Sequence, residues 1–294
     1  RPLCALDVRG KAALLPRTVA LGVVLDRDRR ARGVECVDPA GGRVHTIEAR
    51  GVVLAASAIE SARILHATEG LELDEIGQGL VDHLYCGAIA IAGRPPPRGE
   101  AGPLDRAAFV PPERSNGSLG FCLEVRGPVA LSSLDDADLG LLGIARADAE
   151  RMSFYSVFAI GEMAPSPARR VRFSGSRRDS LGRIVPALDL PPLSTDEKVL
   201  AQDMRARCRL IAEAPGGEDA TIFPISDPRD RVLGHEAGTC RMGAVTDADG
   251  AVRGARGLYV ADAGRMPTAL DRHPSLTAAA LALGTADRVL GDLR

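Results

Sequence analysis

The sequence predicts a mixed α/β fold in which a sheet-and-helix region is inserted between two strand–helix segments. The first segment is a continuous apolar run within residues 51–58 that passes directly into a helical pattern. The second is a strand at Leu258–Ala261, followed by an apolar helix at Leu276–Leu290. A short continuous apolar strand suits a sheet that is covered on both faces. The two segments therefore lie on either side of a central region that mixes sheet and helix.

The composition is that of an ordinary soluble globular protein, with 294 residues, 45% apolar and 26% charged. A net charge of −2 gives no support to nucleic acid or an anionic membrane as a partner. No apolar run approaches the roughly 20 residues that a membrane helix needs. The six cysteines lack Cys-x-x-Cys and zinc-finger spacing, so we expect reduced thiols, a cytoplasmic location and no metal site. The chain starts at Arg1 without a signal-peptide core, which suits a processed product or a piece of a longer protein.

Strand patterns dominate the first part of the chain. Turn signals separate apolar or alternating runs at residues 13–15, 19–25, 33–37 and 46–49. The strand within 51–58 ends in small residues and continues as a helix at Ile59–Ala67. Such a joint lets a ligand approach the backbone closely, and the helix start favours an anion. A tight joint without a ligand explains the same pattern equally well.

The centre of the chain mixes loops, strands and helices. Pro, Gly and Ser are frequent in residues 93–103 and 111–118, which predicts surface loops. Residues 131–149 are acidic and predicted to be helical in part. Acidic residues after Ser194 predict the start of a helix that runs to about Ala212. Strands are expected at residues 157–160, 170–173 and 184–190, with a turn at 177–182.

Two of the five histidines, His235 and His273, lie in the C-terminal part of the chain, next to the ends of predicted secondary-structure elements. His235 follows a strand-like run at residues 230–233 and precedes small residues, and His273 precedes Pro274 at a helix start. A neutral imidazole can take a hydroxyl proton at physiological pH. Motifs for a His-Glu-x-x-His metal helix, a Gly-x-Ser-x-Gly elbow and a phosphate loop are absent, as is Gly-x-Gly-x-x-Gly. The pattern therefore indicates proton transfer beside a bound cofactor.

Several segments together resemble the glucose–methanol–choline (GMC) family of flavin oxidoreductases. The C-terminal stretch from Gly234 is the most specific match, because several residues agree in order and spacing. In residues 51–65 the family usually has Gly in place of Ser57 and Pro near Ala62. Residues 76–83 look like a Gly-x-x-Leu-x-Asp-His turn, and residues 162–167 and 179–182 like substrate-domain strands. The resemblance covers nearly the whole chain, but only the C-terminal half of a family member.

The resemblance implies a domain organisation, a cofactor and partners. Residues 1–79 would belong to an incomplete Rossmann-like FAD-binding domain, residues 80–226 to an inserted antiparallel-sheet substrate domain, and residues 227–294 to the rest of the FAD domain. The cofactor would be FAD and the substrate a small-molecule alcohol, without nucleic acid or a membrane span. A separate N-terminal FAD-binding chain is one way to supply the absent dinucleotide loop.

The resemblance also assigns roles to individual residues. His235 would be the base, His273 would hydrogen-bond the substrate oxygen, and hydride would pass from the substrate carbon to flavin N5. Asp262 and Ala263 would lie beside the ribityl chain and pyrophosphate of the flavin. The helix start from Pro274 to Thr277 would direct N–H groups at the flavin ring. The remaining cofactor contacts would come from the strand–helix joint, at Ala56 and Ser57.

Other interpretations of these residues remain open. A lone histidine at a strand end is usually a hydrogen-bonded structural residue, and this is our expectation for the turn residue His83. His45 and His66 are expected on the surface or in packing, and Cys240 as a buried thiol. The whole chain would alternatively be a non-catalytic remnant or subunit that binds a partner or small ligand without flavin. Without the front half of a family member, the strand Val52–Ala55 would lose its parallel neighbours, so the isolated chain is expected to be marginally stable or prone to aggregation.

Overall fold

The fold is mixed α/β, as the sequence predicts, and the computed structural model describes residues 12–93, 107–110, 119–214, 220–226 and 234–294. The strands are β1 (Val19–Leu25), β2 (Ala31–Val37), β3 (Val44–Glu48), β4 (Val52–Leu54), β5 (Leu84–Ala92), β6 (Ala107–Val110), β7 (Phe121–Ala130), β8 (Ser153–Gly161), β9 (Arg170–Arg172), β10 (Ala187–Asp189), β11 (Ala220–Ser226) and β12 (Leu258–Val260). The α-helices are α1 (Ser57–His66), α2 (Asp136–Leu141), α3 (Arg146–Ala149), α4 (Thr195–Glu213) and α5 (Ser275–Asp292). Short 3₁₀ helices span Leu131–Ser133 and Ala263–Arg265.

The first three strands form an antiparallel sheet in the order β1-β2-β3. The turn between β1 and β2 is organised by Asp26, whose carboxylate accepts backbone hydrogen bonds from Asp28 and Arg30 at 2.9 Å each. The pair of strands expected within residues 13–37 is found as β1 and β2, but the apolar run at residues 13–15 is not part of β1. Leu14 and Leu15 are 74% and 55% exposed and unpaired with any described strand, since the chain there leads through Pro16 into a turn.

Strands β4 and β12 pair in parallel, with Leu258 opposite Val52 and Val260 opposite Leu54. The strand expected within 51–58 is therefore shorter, because α1 already begins at Ser57. The carboxyl ends of two parallel strands meet at the same edge of a sheet. The small-residue joint after β4 and the chain after β12 consequently lie side by side.

The central part of the chain builds a five-stranded antiparallel sheet in the order β11-β5-β8-β7-β6. Helix α4 packs on it through buried Leu200, Met204 and Cys208. The Ser194 side chain caps α4, and Glu197 closes the reciprocal hydrogen bond of a capping box. The predicted helix and its acidic start are thus confirmed, whereas β5 and β7 were not predicted at all.

Other predicted elements are found at the expected positions, although some are shorter than expected. Strand β10 covers only Ala187–Asp189 of the expected 184–190, and it pairs with β9. Residues 131–149 are helical in part, as expected. The loops expected at 94–103 and 111–118 and the strand-like run at 230–233 lie outside the described residues. No helix in the described ranges has the length and apolarity to cross a membrane.

Candidate active site

His235 lies in a loop, Gly234–Cys240, that is fastened to three parts of the fold. The backbones of Val81 and Ala237 exchange hydrogen bonds of 3.0 and 2.9 Å just before β5 begins. At its far end, Cys240 donates to the carbonyl of Gly264 at 2.8 Å. The buried Thr239 hydroxyl donates to the carbonyl of Ala58 in α1 at 2.6 Å. The position of His235 is therefore set by the antiparallel sheet, the second 3₁₀ helix and α1 together.

The structure brings His235 and His273 into contact although 38 residues separate them. His235 Nε2 and His273 Nδ1 are 3.4 Å apart, and the two rings meet edge to face with centroids 5.0 Å apart. The His273 side chain is 47% exposed, and His235 is half-buried. Two imidazoles thus face one another at a surface that a small molecule can reach.

Glu124 extends this pair into a chain of three groups. Its Oε2 is 3.4 Å from His273 Nε2, and its Oε1 accepts a hydrogen bond from Arg126 Nε at 2.5 Å. Glu124 is 5% exposed and lies on β7 in the central sheet. Glu124 is not among the residues predicted from the sequence. The available signal was a single acidic residue within the apolar run Phe121–Val125.

The charge states of this chain of groups follow from its surroundings. Burial first, and then the neighbouring imidazoles of His83 and His273, lower the pKa of His235 below its ordinary value. Burial tends to raise the pKa of Glu124, but hydrogen bonds from Arg126 and His273 outweigh it and lower the pKa. At neutral pH the site therefore holds an uncharged His235 and an ionised Glu124.

His83 packs against the other side of His235. The ring centroids are 5.1 Å apart and the rings are nearly perpendicular. His83 is 1% exposed, and neither of its ring nitrogens has a hydrogen-bond partner among the described residues. Its Nδ1 lies 3.7 Å from Oδ1 of Asp82. The sequence suggested only a structural turn role for His83. In the fold it joins His235 and His273 in a group of three rings, the histidine cluster.

A second polar centre forms where β4 and β12 end. The Asp262 carboxylate accepts hydrogen bonds from the Ser61 hydroxyl at 2.5 Å and from the Gly264 amide at 2.8 Å. Burial raises the pKa of Asp262, while these bonds and the nearby amides of Ala56 and Ser57 oppose the shift. Ser61 also accepts from the Ala56 amide at 3.1 Å. Ala56, Ser57 and Asp262, expected as cofactor contacts, are therefore neighbours.

The remaining expected cofactor residues connect the two centres. The Ala263 carbonyl accepts a hydrogen bond of 3.3 Å from Gly238, in the loop that carries His235. Pro274 is the residue before α5, directly after His273, and Thr277 lies in the first turn of α5. Pro274 and Ala56 occupy the N-cap positions of α5 and α1, and neither helix has a side-chain cap in the described part of the chain. At α5 no described side chain caps the first N–H groups, so they are available to a ligand, whereas the Ala56 and Ser57 amides at the start of α1 face the Asp262 carboxylate.

Comparison with known proteins identifies the family. A model of the GMC oxidoreductase C-terminal part matches residues 166–282, and the model of its N-terminal part matches residues 6–85. Together the two matches cover well over half of the chain. This chain therefore belongs to the GMC oxidoreductase family.

Individual relatives agree with this assignment. The chain is 28% identical to a C-glycoside 3-oxidase of Arthrobacter globiformis over 92% of its own length and 52% of the relative. It is also 28% identical to the paromamine 6'-oxidase of Streptomyces fradiae, over 93% of the chain and 51% of the relative. The crystal structure of pyridoxine 4-oxidase from Mesorbium loti has the same fold, with a TM-score of 0.68 and 21% identity over 98% of this chain and 60% of that one. The chain spans about half the length of the curated relatives it matches.

The comparisons correct one expectation from the sequence. The restriction of the resemblance to the C-terminal half of the family is wrong, since the N-terminal family model also matches residues 6–85. The same match removes the reason for invoking a separate N-terminal FAD-binding chain. The error arose because the dinucleotide loop was used as the marker of the N-terminal part, although other residues of that part are present.

FAD is the cofactor of this family, and the residues at the second centre fit it. Residues 55–57 are small and exposed, so the backbone of the joint can be approached closely. Ser57 has φ +77°, a left-handed conformation in which glycine is the usual residue. The start of α5 after Pro274, which has no side-chain cap in the described residues, offers N–H groups to phosphate or to a polar ring edge. These features suit a nucleotide cofactor better than they suit a closed structural joint.

Proposed function

We propose that this protein oxidises a CH–OH group of a small alcohol or sugar with FAD, and that His235 is the base. The observation that best supports this proposal is the distance of 3.4 Å between His235 Nε2 and His273 Nδ1, in a chain whose family consists of oxidoreductases. Oxidation of an alcohol to a carbonyl requires a base for the hydroxyl proton and an acceptor for the hydride. His235 supplies the first requirement, and FAD, when bound, supplies the second.

His235 suits the role of base because its lowered pKa keeps the ring uncharged at neutral pH. General bases of this kind contribute roughly 10²–10⁴-fold to a rate. Its half-buried ring lies at the surface of the site, where a hydroxyl group can reach it. The hydroxyl proton would move to a ring nitrogen of His235 as negative charge develops on the substrate oxygen.

His273 and Glu124 would stabilise the charges that this transfer creates. An ionised carboxylate can only accept hydrogen bonds, so a bond to Glu124 keeps a proton on His273 Nε2. A proton taken up by the two imidazoles places a positive charge near the Glu124 carboxylate, which favours the transfer. A proton on His273 Nδ1, which faces His235, would let this nitrogen donate to a substrate oxygen that lies between the two rings.

The cofactor would be held by the residues around the second centre. Ala56 and Ser57 at the start of α1, and Asp262 and Ala263 after β12, would contact its chain of phosphate and ribityl groups. Pro274 and Thr277 would present the first turn of α5 to its ring system. We retain with this proposal the division into residues 1–79, 80–226 and 227–294, with the substrate bound by the middle part.

The substrate class follows from the relatives as a proposal. The relatives include oxidases of a C-glycoside and of paromamine, and a choline oxidase. Each name describes a small, polar, hydroxyl-bearing molecule. The histidine pair suits such a molecule, because a neutral imidazole nitrogen can accept a hydrogen bond from a hydroxyl group.

The test is the visible absorption spectrum of the purified full chain in excess FAD, after removal of free flavin. We expect retained flavin bands that bleach under anaerobic conditions when a C-glycoside, paromamine or choline is added. Retained bands with no bleaching by any hydroxyl compound would overturn the catalytic part of the proposal. No retained flavin would overturn the proposal entirely and favour a binding protein that works without flavin.

A further inference from the structure

The residues behind His235 form a cluster whose chemistry goes beyond proton transfer. One ligand atom each from Asp82, His83 and His235 lies within 4.8 Å of the other two. Asp82 and His83 are 5% and 1% exposed, and they are neighbours in sequence just before β5. From these positions we infer that Asp82, His83 and His235 form a binding site for a divalent transition-metal ion such as Zn²⁺.

The strongest evidence is the state of His83. Neither ring nitrogen has a hydrogen-bond partner in the described parts of the chain, although the side chain is fully enclosed. A buried polar atom without a partner costs about 1–3 kcal/mol. Buried histidines therefore normally bond to a carbonyl, a carboxylate or a ligand. A metal ion on this ring satisfies one nitrogen in a way that no described side chain does.

The distances are close to those of a metal site. Ligands at about 2.0–2.2 Å from a tetrahedral ion lie roughly 3.4 Å from one another. His83 Nδ1 and Asp82 Oδ1 are already 3.7 Å apart. All three ligand atoms lie within 4.8 Å of one another, and the half-buried His235 side chain can close the remaining gap by rotating, while the loop that carries it stays fastened. Only one side chain thus needs to adjust.

The ligand set selects the class of ion. Two imidazoles and one carboxylate prefer Zn²⁺ and its transition-metal neighbours over Mg²⁺ or Ca²⁺, which take oxygen ligands. Three protein ligands with a fourth position open to water is an arrangement that zinc sites in enzymes commonly have. Spacing in the sequence conceals the site, because His235 is far from Asp82 and His83 along the chain.

Occupation of the site has a consequence that rests on the proposed function. A metal ion on His235 takes the lone pair that would accept the hydroxyl proton. Zn²⁺ would therefore act as a reversible inhibitor of alcohol oxidation, and a chelator would restore the activity. Binding itself does not depend on the proposed function, so the two ideas can fail separately.

The test is calorimetric titration of the chelator-treated full chain with ZnCl₂, with MgCl₂ as the comparison ion. We expect a single Zn²⁺ site that His235→Ala and His83→Leu each weaken by roughly 100-fold, since loss of a partner behind a ligand alone costs 10–100-fold. His45→Ala is the matched control, because His45 is an exposed histidine on β3. It should leave the dissociation constant unchanged.

A spectroscopic measurement protects the test against a folding defect in the buried variant. One equivalent of Cu²⁺ should show coupling to two imidazole nitrogens in the electron paramagnetic resonance spectrum, and to one in His235→Ala. Zn²⁺ binding that neither His83→Leu nor His235→Ala weakens would overturn the inference, as would the absence of any Zn²⁺ site. These readouts need no enzymatic activity, so a failure of the proposed function leaves them intact.

Discussion

The two polar centres of this protein differ in how completely their groups are bonded. Around Asp262, the Ser61 hydroxyl and the Gly264 amide donate at 2.5 and 2.8 Å, and Thr239 closes a neighbouring bond of 2.6 Å to α1. In the histidine cluster the contacts that His273 makes with His235 and Glu124 are both 3.4 Å. Both nitrogens of His83 lack a partner in the described residues.

This difference indicates that the two polar centres have different roles. Short, satisfied hydrogen bonds hold the ends of β4 and β12 and the start of α1 in one geometry, as a binding surface for a rigid cofactor requires. Long or missing bonds between titratable groups leave capacity for a ligand, and catalytic hydrogen bonds are often long before the substrate binds. Substitutions should therefore change stability at the Asp262 centre and activity or binding at the histidine cluster.

The largest expected effect is that of His235→Ala on oxidation. Loss of the base should lower kcat/KM by roughly 10²–10⁴-fold, the usual contribution of a general base. Stability should change little, because His235 is half-buried and the ring contacts that it makes in the described residues, with His273 and His83, are loose. The measurement is the rate of flavin bleaching by an active substrate, beside urea unfolding of the same variant. His45→Ala, on the exposed edge strand, is the control, and an unchanged bleaching rate in His235→Ala would contradict the assignment.

Asp262→Ala should have the opposite profile. The substitution leaves the Ser61 hydroxyl and the Gly264 amide without their acceptor, and an unsatisfied buried group costs about 1–3 kcal/mol. We expect the free energy of unfolding to fall by about 2–3 kcal/mol, measured by urea denaturation. Asp262→Asn should lose less, because its amide oxygen still accepts one bond.

The matched control for this pair is Asp287→Ala, at an exposed position on α5. It should leave the unfolding free energy nearly unchanged, since a surface aspartate lacks such bonds. If Asp262→Ala were as stable as the control, the distinction between the two centres would not hold.

The difference between local and long-range contacts explains which parts of the structure could be predicted from the sequence. Helix α4 was expected over residues 195–212 and is found at Thr195–Glu213, because its cap and its periodicity are local. Strands β5 and β7 were missed, since a strand forms only through partners far away in the chain. Likewise, the resemblance proposed His235 and His273, but only the fold brings Glu124 to His273 across 149 residues. Local sequence signals were sufficient to predict individual helices and strands. The composition of the candidate site depends on contacts between residues that are far apart in the chain.

A smaller effect is expected at Asp179, which ties the turn before β10 to α1. Its carboxylate accepts from Arg63 at 2.7 Å and from Arg183 Nε at 2.9 Å. Partial burial works against ionisation, yet hydrogen bonds from Arg183, Arg63 and Leu181 lower the pKa of Asp179 to about 2. The stability from this ionisation is present above pH 3.8, the ordinary value, and is lost as pH falls towards 2.

Asp179→Asn should therefore lower the unfolding free energy by about 1 kcal/mol at neutral pH, a modest figure because the side chain is partly exposed. A series of urea denaturations should show this difference shrinking as the pH falls from about 4 towards 2. Asp287→Asn should show no such trend. A difference that stays constant over this range would mean that the carboxylate does not stabilise the fold through its charge.

The smallest effect is a gain in stability, and it tests whether the joint after β4 is built around a ligand. Ser57 has φ +77°, where a side chain costs about 1–2 kcal/mol, while glycine adopts the conformation freely. Ser57→Gly removes that cost but gives the unfolded chain more freedom, worth about 0.5–1 kcal/mol. A net gain of about 0.5–1 kcal/mol in unfolding free energy should remain. Ser57→Ala is the control, because it removes the hydroxyl and keeps the Cβ, so it should bring no gain. If both variants were equally stable, the strain at Ser57 would be relieved elsewhere, and the close backbone approach inferred for the cofactor would lose its conformational support.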